Sequence, residues 1–259
     1  TPQSRLLRID SVSSPGKQGD GVRFTDVTED VAPELATTGL VTSALWSDAD
    51  GDGWLDLLVA HDWGPVKFYR NDHGKLVDQT SEAGLADRLG LYTGVAGREL
   101  DGDGDIDYVV TNAGLNTKYH ASRHEPARIY YGDFEGDGEM HIVEAKMKGD
   151  KLLPVRGKSC SQNAMPIVRS RFPKYHDFAS ALLPDIYTPQ CLDDALTVEA
   201  NSLESGILIN NGKARFDFHA LPPIAQISPG YGMVLTEVDG TRNPDLYLVQ
   251  NTYSPQRET

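Results

Sequence analysis

The chain has 259 residues, enough to bury a sizeable core in one large domain or two smaller ones. Its 24 Lys plus Arg stand against 38 Asp plus Glu, a formal charge of -14, which argues against nucleic acid or an anionic membrane as partner and makes cations the natural guests. No apolar run reaches the roughly 18 residues that a membrane-spanning helix needs, and two cysteines, Cys160 and Cys191, are too few for a disulfide scaffold, so a single bridge and two free thiols both fit. A chain that starts at Thr1 is expected to be an excerpt or a processed form.

The first informative stretch is S-D-A-D-G-D-G-W-L-D-L-L-V-A, Ser47 to Ala60. Asp48, Asp50, Asp52, Gly53 and Asp56 make D-x-D-x-D-G-x-x-D, in which alternate carboxylates converge on one point while the glycine takes the sharp turn. Such crowding repels itself unless a cation sits among the oxygens, and a hard ion such as Ca²⁺ wants about six to eight of them. The expected ligands are the side chains of Asp48, Asp50, Asp52 and Asp56 and the backbone carbonyl of Trp54, with water completing the shell. An EF-hand would place a Glu at the twelfth loop position, where Val59 stands, and a helix on each side. The flanks, Leu40 to Trp46 and Leu55 to Ala60, are instead rich in Leu, Val, Thr and Trp and read as strands. Trp46 and Trp54 are expected to pack between strand units. His61, Asp62 and Trp63 either line a groove for sugar or peptide or are packing residues before the turn at Pro65.

Phe68 to Asp78, F-Y-R-N-D-H-G-K-L-V-D, is strand, Asn/Gly turn, strand, the pattern of a hairpin. The acidic pattern then returns in R-E-L-D-G-D-G-D-I-D-Y-V-V, where Glu99, Asp101, Asp103, Asp105 and Asp107 fall in the same register and a strand, Ile106 to Thr111, follows. His120 and His124 lie in a polar, loop-like stretch and read as surface residues. A third copy, G-D-F-E-G-D-G-E-M-H-I-V-E-A, places Asp133, Glu135 and Asp137 correctly but puts His141, a poor partner for a hard ion, in the last acid's slot. Two calcium sites are therefore expected, and the third is left open.

Residues 159–192 lose strand alternation and show apolar positions at helical spacing, Met165, Val168, Phe172 and Tyr175, then Phe178, Leu182 and Ile186, with Pro173, Pro184 and Pro189 as breakers. Two or three short helices, packed on an edge or face of the strand units, are expected there. The approach to them, from Lys146 to Lys174, is the most basic part of the chain and reads as a solvated face, a face docked on the chain's own acidic surface, or a partner surface. Ile207 to Asp217 repeats the hairpin, and a fourth turn keeps Glu237, Asp239, Asn243 and Asp245 while Thr241 and Arg242 replace an acid and the glycine, which predicts the turn's shape without the ion.

Acidic turn, strand and hairpin together describe a unit of about 50 residues that stacks on its neighbours because it cannot bury both faces alone, the logic of a β-propeller blade. On these stretches, with F-T-D-V-T near Phe24 and D-I-D-Y-V-V-T-N-A-G-L-N-T-K-Y, the chain resembles the FG-GAP or VCBS-repeat proteins, relatives of the integrin α-subunit propeller, and bacterial secreted proteins that often bear an ASPIC/UnbV segment. The resemblance implies an all-β partial propeller over residues 1–259, of about four blades from a seven-bladed whole, with the helical insertion within it. It implies a calcium-bracing role for Asp48, Asp50, Asp52, Asp56, Glu99, Asp101, Asp103 and Asp107, and puts the loops carrying His141, Thr241 and Arg242 in doubt. No G-x-S-x-G or H-E-x-x-H occurs, and R-G-K-S at Arg156 to Ser159 has Leu152 where a phosphate loop begins with Gly. The expected function is a non-enzymatic, calcium-stabilised module, extracellular, periplasmic or on the cell surface, that serves adhesion or binds a protein or glycan. The alternatives are a domain of a secreted polysaccharide-degrading enzyme and an architectural scaffold. Open blade edges invite self-association.

Overall fold

The structure is a computed structural model that describes residues 3–11, 21–241 and 243–252. A short antiparallel hairpin, β1 (Leu7–Ser11) with β2 (Arg23–Asp26), leads through one helical turn, α1 (Thr28–Val31), and a 3-10 turn at Pro33–Thr37 into the first blade. That blade is β3 (Leu40–Ser47), β4 (Asp56–Gly64), β5 (Lys67–Asn71) and β6 (Leu76–Asp78) in simple meander order, with β7 (Gly90–Leu91) added along the far end of β4. The run Leu57–Ala60 is apolar without alternation because both faces of β4 are covered. Leu57 and Val59 pack with Leu35, Tyr69 and Leu76 on one side, and Leu58 and Ala60 join the main core on the other.

The second blade opens with β8 (Gly94–Arg98) and β9 (Asp107–Thr111), whose register sets Arg98 opposite Asp107 as Ser47 is set opposite Asp56 in the first. Tyr108 and Val110 of β9 face Leu58, Ala60 and Phe68 across the main core, and Val109 points the other way. Burying each such side chain contributes roughly 1.5–3 kcal/mol, so the seam between the blades stabilises both.

The chain then leaves the blade. It forms β10 (Ala127–Gly132), β11 (His141–Lys148) and β12 (Lys151–Pro154), then five short helices, α2 (Lys158–Ala164), α3 (Ile167–Arg171), α4 (Tyr175–Ser180), α5 (Leu183–Tyr187) and α6 (Pro189–Asp194), and then β13 (Leu196–Ala200). These four strands make their own sheet, ordered β12-β11-β10-β13. The helices cover one of its faces: Tyr130, Val143 and Ala145 pack against Met165, Val168, Phe178, Leu183, Ile186 and Tyr187. Helices at this position follow from the periodicity, but there are five of them rather than two or three, and they cover the inserted sheet rather than a blade.

Only after this insertion does the second blade finish, with β14 (Gly206–Asn210) pairing β9 and β15 (Phe216–Ala220) pairing β14. The root of the insertion is closed by Asn112, fully buried, whose backbone N–H donates to Ser205 Oγ at 2.9 Å and whose amide donates to the carbonyl of Ser202 at 3.0 Å. A last pair, β16 (Gly230–Thr236) and β17 (Asp245–Gln250), begins a further sheet on the other side of β8, with Met233, Leu235, Leu246 and Leu248 packed around Val109 and Ile207. The described residues thus form several antiparallel sheets fanned side by side, without a closed barrel. Among them no helix is long and apolar enough to cross a membrane, and Cys160 and Cys191 are free thiols.

Candidate metal centre

Each acidic turn joins the first two strands of a sheet, and its shape comes from carboxylates that accept backbone N–H groups a few residues on, the short-range bonding at which Asp excels. In the first turn Asp48 accepts from Gly53 at 3.0 Å, Asp50 from Asp52 at 3.1 Å and Asp52 from Trp54 at 2.9 Å. In the second, Glu99 accepts from Gly102 at 2.6 Å, Asp101 from Asp103 at 3.2 Å and Asp103 from Asp105 at 2.9 Å. Glycines at positive φ, Gly51 and Gly53 in one and Gly102 and Gly104 in the other, let the backbone coil tightly enough for this.

The coil brings carboxylates together. Ligand atoms of Asp48, Asp50 and Asp52 lie within 4.8 Å of one another, and so do those of Glu99, Asp101 and Asp107. One oxygen, Asp48 Oδ1, is buried with no hydrogen-bond partner. An ionised oxygen left so is costly, and a cation among these groups would satisfy it. The donor set is oxygen throughout, which suits a hard ion. These clusters could hold a metal.

Asp56 and Asp107, the last acids of the two turns, do something more specific. Both are fully buried. Asp56 accepts from the N–H of Ala49 at 3.0 Å and of Asn71 at 2.7 Å, and Asp107 from the N–H of Leu100 at 2.9 Å and of Asn210 at 2.8 Å. Each therefore ties the start of its turn to the third strand of its blade. Burial pushes both carboxyls above the ordinary aspartate range. The backbone bonds oppose that shift, and the neighbouring carboxylates, Asp50 and Asp52 in one turn and Asp101 and Asp103 in the other, add to it.

The partner asparagines complete a clasp that the sequence motif does not announce. Asn71 donates its amide to Leu55 O at 2.9 Å and accepts from Gly74 at 2.7 Å; Asn210 donates to Ile106 O at 3.2 Å and accepts from Gly212 at 3.2 Å. Asn210 also donates to Ala49 O at 2.7 Å, which binds the second blade to the first turn of its neighbour. Both asparagines stand in the Asn/Gly turns read as hairpin signals, and their common place after an acidic turn was the clue to this second task. A cation not foreseen is Arg70, whose guanidinium donates to Asp50 at 2.5 Å and to Asp52 at 2.7 Å.

The remaining predicted residues fall into place around these turns. Trp54 and Trp46 do not pack between blades: they are 42% and 47% exposed, since both lie on the turn side of the sheet, and Trp54 rests on His73 with ring centroids 5.4 Å apart. Asp103 is exposed and Asp105 half-buried with its carboxylate beside Gly212, and neither belongs to the second carboxylate cluster. The third turn keeps the form, Asp133 accepting from Glu135, Gly136 and Gly138 and Asp137 from Glu139, but belongs to the inserted sheet rather than to a blade. There Glu135 accepts from the N–H of Ile167, and its second oxygen lies 3.9 Å from His141 Nε2, which has no hydrogen-bond partner. In the fourth turn Glu237 accepts from Gly240, Asp239 from Thr241 and Asp245 from Val238, a repeat of the second turn's bonding; Arg242 lies outside the described residues. His120 and His124 are exposed. Some of the basic approach to the helices is used internally: Arg156 donates to buried Glu144, and Lys158 to Gln162 at 2.7 Å.

A family model described as FG-GAP-like repeat matches residues 48–110, a span that holds both acid-rich turns and the hairpin between them. A search of curated proteins returned no match. With the same turn built twice inside the matched span, residues 48–110 carry a repeat of the FG-GAP type, consistent with the FG-GAP/VCBS repeat proteins.

Proposed function

We propose that the chain is a calcium-braced binding module, working outside the cytoplasm in adhesion or in recognition of a protein or glycan. The observation that carries the metal reading is the buried, unpartnered Asp48 Oδ1 beside Asp50 and Asp52, supported by the second oxygen cluster at Glu99, Asp101 and Asp107. The ion's contribution is positive charge where these carboxylates crowd. Asp48, Asp50 and Asp52 would hold one ion and Glu99, Asp101 and Asp107 another, while Asp56 and Asp107 carry the effect into the blade through their bonds to Asn71 and Asn210. Sites with dissociation constants near 10⁻⁴ to 10⁻³ M, roughly the range of extracellular modules, fill where calcium is plentiful, and filling stabilises the fold by mass action.

Thermal melts with and without calcium test this reading. Asp50→Ala and Asp101→Ala should each lower the melting temperature by more in millimolar calcium than in chelator. Equal melting of variant and parent in calcium would count against a structural ion. Binding to a glycan and protein array, compared in calcium and in chelator, tests the recognition role.

A further inference from the structure

The inserted sheet is covered by helices on one face only. Its other face meets the first blade across a cleft of about 560 Å³, within the roughly 300–1,000 Å³ of small-molecule sites. One wall is Ile129 and Tyr131 of β10, Ile142 of β11, and Leu196 and Val198 of β13, which share a face because Tyr131 stands opposite both Ile142 and Leu196 and Ile129 opposite Val198. Tyr131, Ile142 and Leu196 remain 43–59% exposed, so the wall is apolar and not packed out. The opposite wall is the end of β4, His61 to Gly64, with Pro65 and the Thr38–Leu40 stretch.

That second wall is rigidly built. Tyr69 Oη and Thr38 Oγ1 are 2.6 Å apart, Thr38 Oγ1 and His61 Nε2 are 3.0 Å apart, and His61 Nδ1 is 2.9 Å from the carbonyl of Pro65. Only one proton order satisfies this chain: His61 donates from Nδ1 to Pro65, Thr38 donates to Nε2, and Tyr69 donates to Thr38. Both nitrogens of His61 are thus engaged, and burial lowers its pKa and favours the neutral ring that this order requires, so His61 shapes the cleft. Trp63 adopts φ +55°, a conformation that costs a non-glycine residue energy, and its ring meets Tyr119 edge-on at 5.5 Å.

Asp62 lies between these two fixed residues. It is half-buried, its carboxyl is raised by burial against one backbone hydrogen bond from Trp63, and among the described residues it makes no ion pair. An apolar cleft with one uncompensated carboxylate and two aromatic rings is complementary to an ammonium on an apolar body, since the carboxylate supplies the charge, the rings add cation–π attraction and the walls take up the body. The chain's net charge of -14 draws cations toward it. From the geometry we infer that the cleft between β4 and the open face of the inserted sheet binds a small organic ammonium, with Asp62 as its counter-ion. This site is separate from the acidic turns and does not depend on their holding calcium.

The test is an NMR titration in chelator with n-hexylammonium, n-hexanol and hexanoate, following the amides of residues 61–64, 129–131 and 196–198. Hexylammonium should shift these amides with an affinity about tenfold above that of hexanol, the scale of one charge-assisted contact, and hexanoate should bind least. Asp62→Asn, nearly isosteric, should bring hexylammonium to within about twofold of hexanol. Ile142→Lys, at an exposed position that tolerates the change, should abolish ammonium binding by placing a competing cation in the cleft that Asp62 lines. Equal or better binding of hexanol or hexanoate, retention of the ammonium preference in Asp62→Asn, shifts confined to the acidic turns, or no binding by any probe would each overturn the assignment.

Discussion

Asn210 ties two blades together, whereas Asn71 makes the same clasp within one, and truncating each to alanine separates the two effects. The Asn210 side chain is buried and makes three hydrogen bonds. Without it the carbonyl of Ala49, itself buried, loses its partner, at a cost of about 1–3 kcal/mol for an unsatisfied buried group. The longer bonds to Ile106 O and from Gly212, each 3.2 Å and partly buried, add about 0.5 kcal/mol apiece. Asn210→Ala should therefore cost about 3 kcal/mol. Asn71 is half-buried but makes its two side-chain bonds on the exposed side, where water replaces what is lost, so Asn71→Ala should cost about 1 kcal/mol. At about 2–4 °C per kcal/mol for a domain of this size, melting in chelator should fall by about 6–12 °C for the first and 2–4 °C for the second. Urea midpoints should keep the same order with unchanged slope. Equal losses from the two variants would refute the idea that the blade-to-blade bond at Ala49 distinguishes Asn210.

Two further perturbations address charge. Arg70→Ala removes the cation that pairs with Asp50 and Asp52; being a partly exposed contact it should cost only about 1 kcal/mol in chelator, yet it frees both carboxylates, so calorimetry should find calcium bound about fivefold more tightly at the first turn. Weaker calcium binding in Arg70→Ala would mean that the arginine arranges the turn rather than competes for it. Glu144 is buried, and although burial raises its carboxyl, hydrogen bonds from Lys118, Tyr119 and Arg156 outweigh that and hold it below the ordinary value of 4.5. A depressed carboxyl contributes stability that is complete above the unfolded value and is lost as the pH falls through the folded one. Glu144→Gln should thus cost about 2 kcal/mol at neutral pH, below the usual range for a buried pair because Arg156 is half-exposed. The gap from the parent should close as urea melts are taken below pH 4.5.

The acidic turns and hairpins could be read from the sequence because their causes are local. An Asp accepting from an N–H two to five residues on, with glycine where φ is positive, leaves its whole signature within one short stretch. The clasp and the insertion have causes that span the chain. Asp107 and Asn210 are bonded across an intervening sheet and five helices, and β14 joins β9 through pairs such as Gly206 with Val110. Nothing in the spacing of the third turn marks it as belonging to a different sheet, because Asp133, Glu135 and Asp137 repeat the local pattern faithfully. The telling difference is His141, which occupies the position where Asp56 and Asp107 each reach a third strand. In the inserted sheet the next strand, β12, meets β11 only along Ala145–Lys148, so no third strand lies beside His141 to be reached. The substitution that casts doubt on a third ion thus also marks where the blade plan stops. In the two blades the last acid of the motif bonds its turn to the third strand, whatever its part in binding metal.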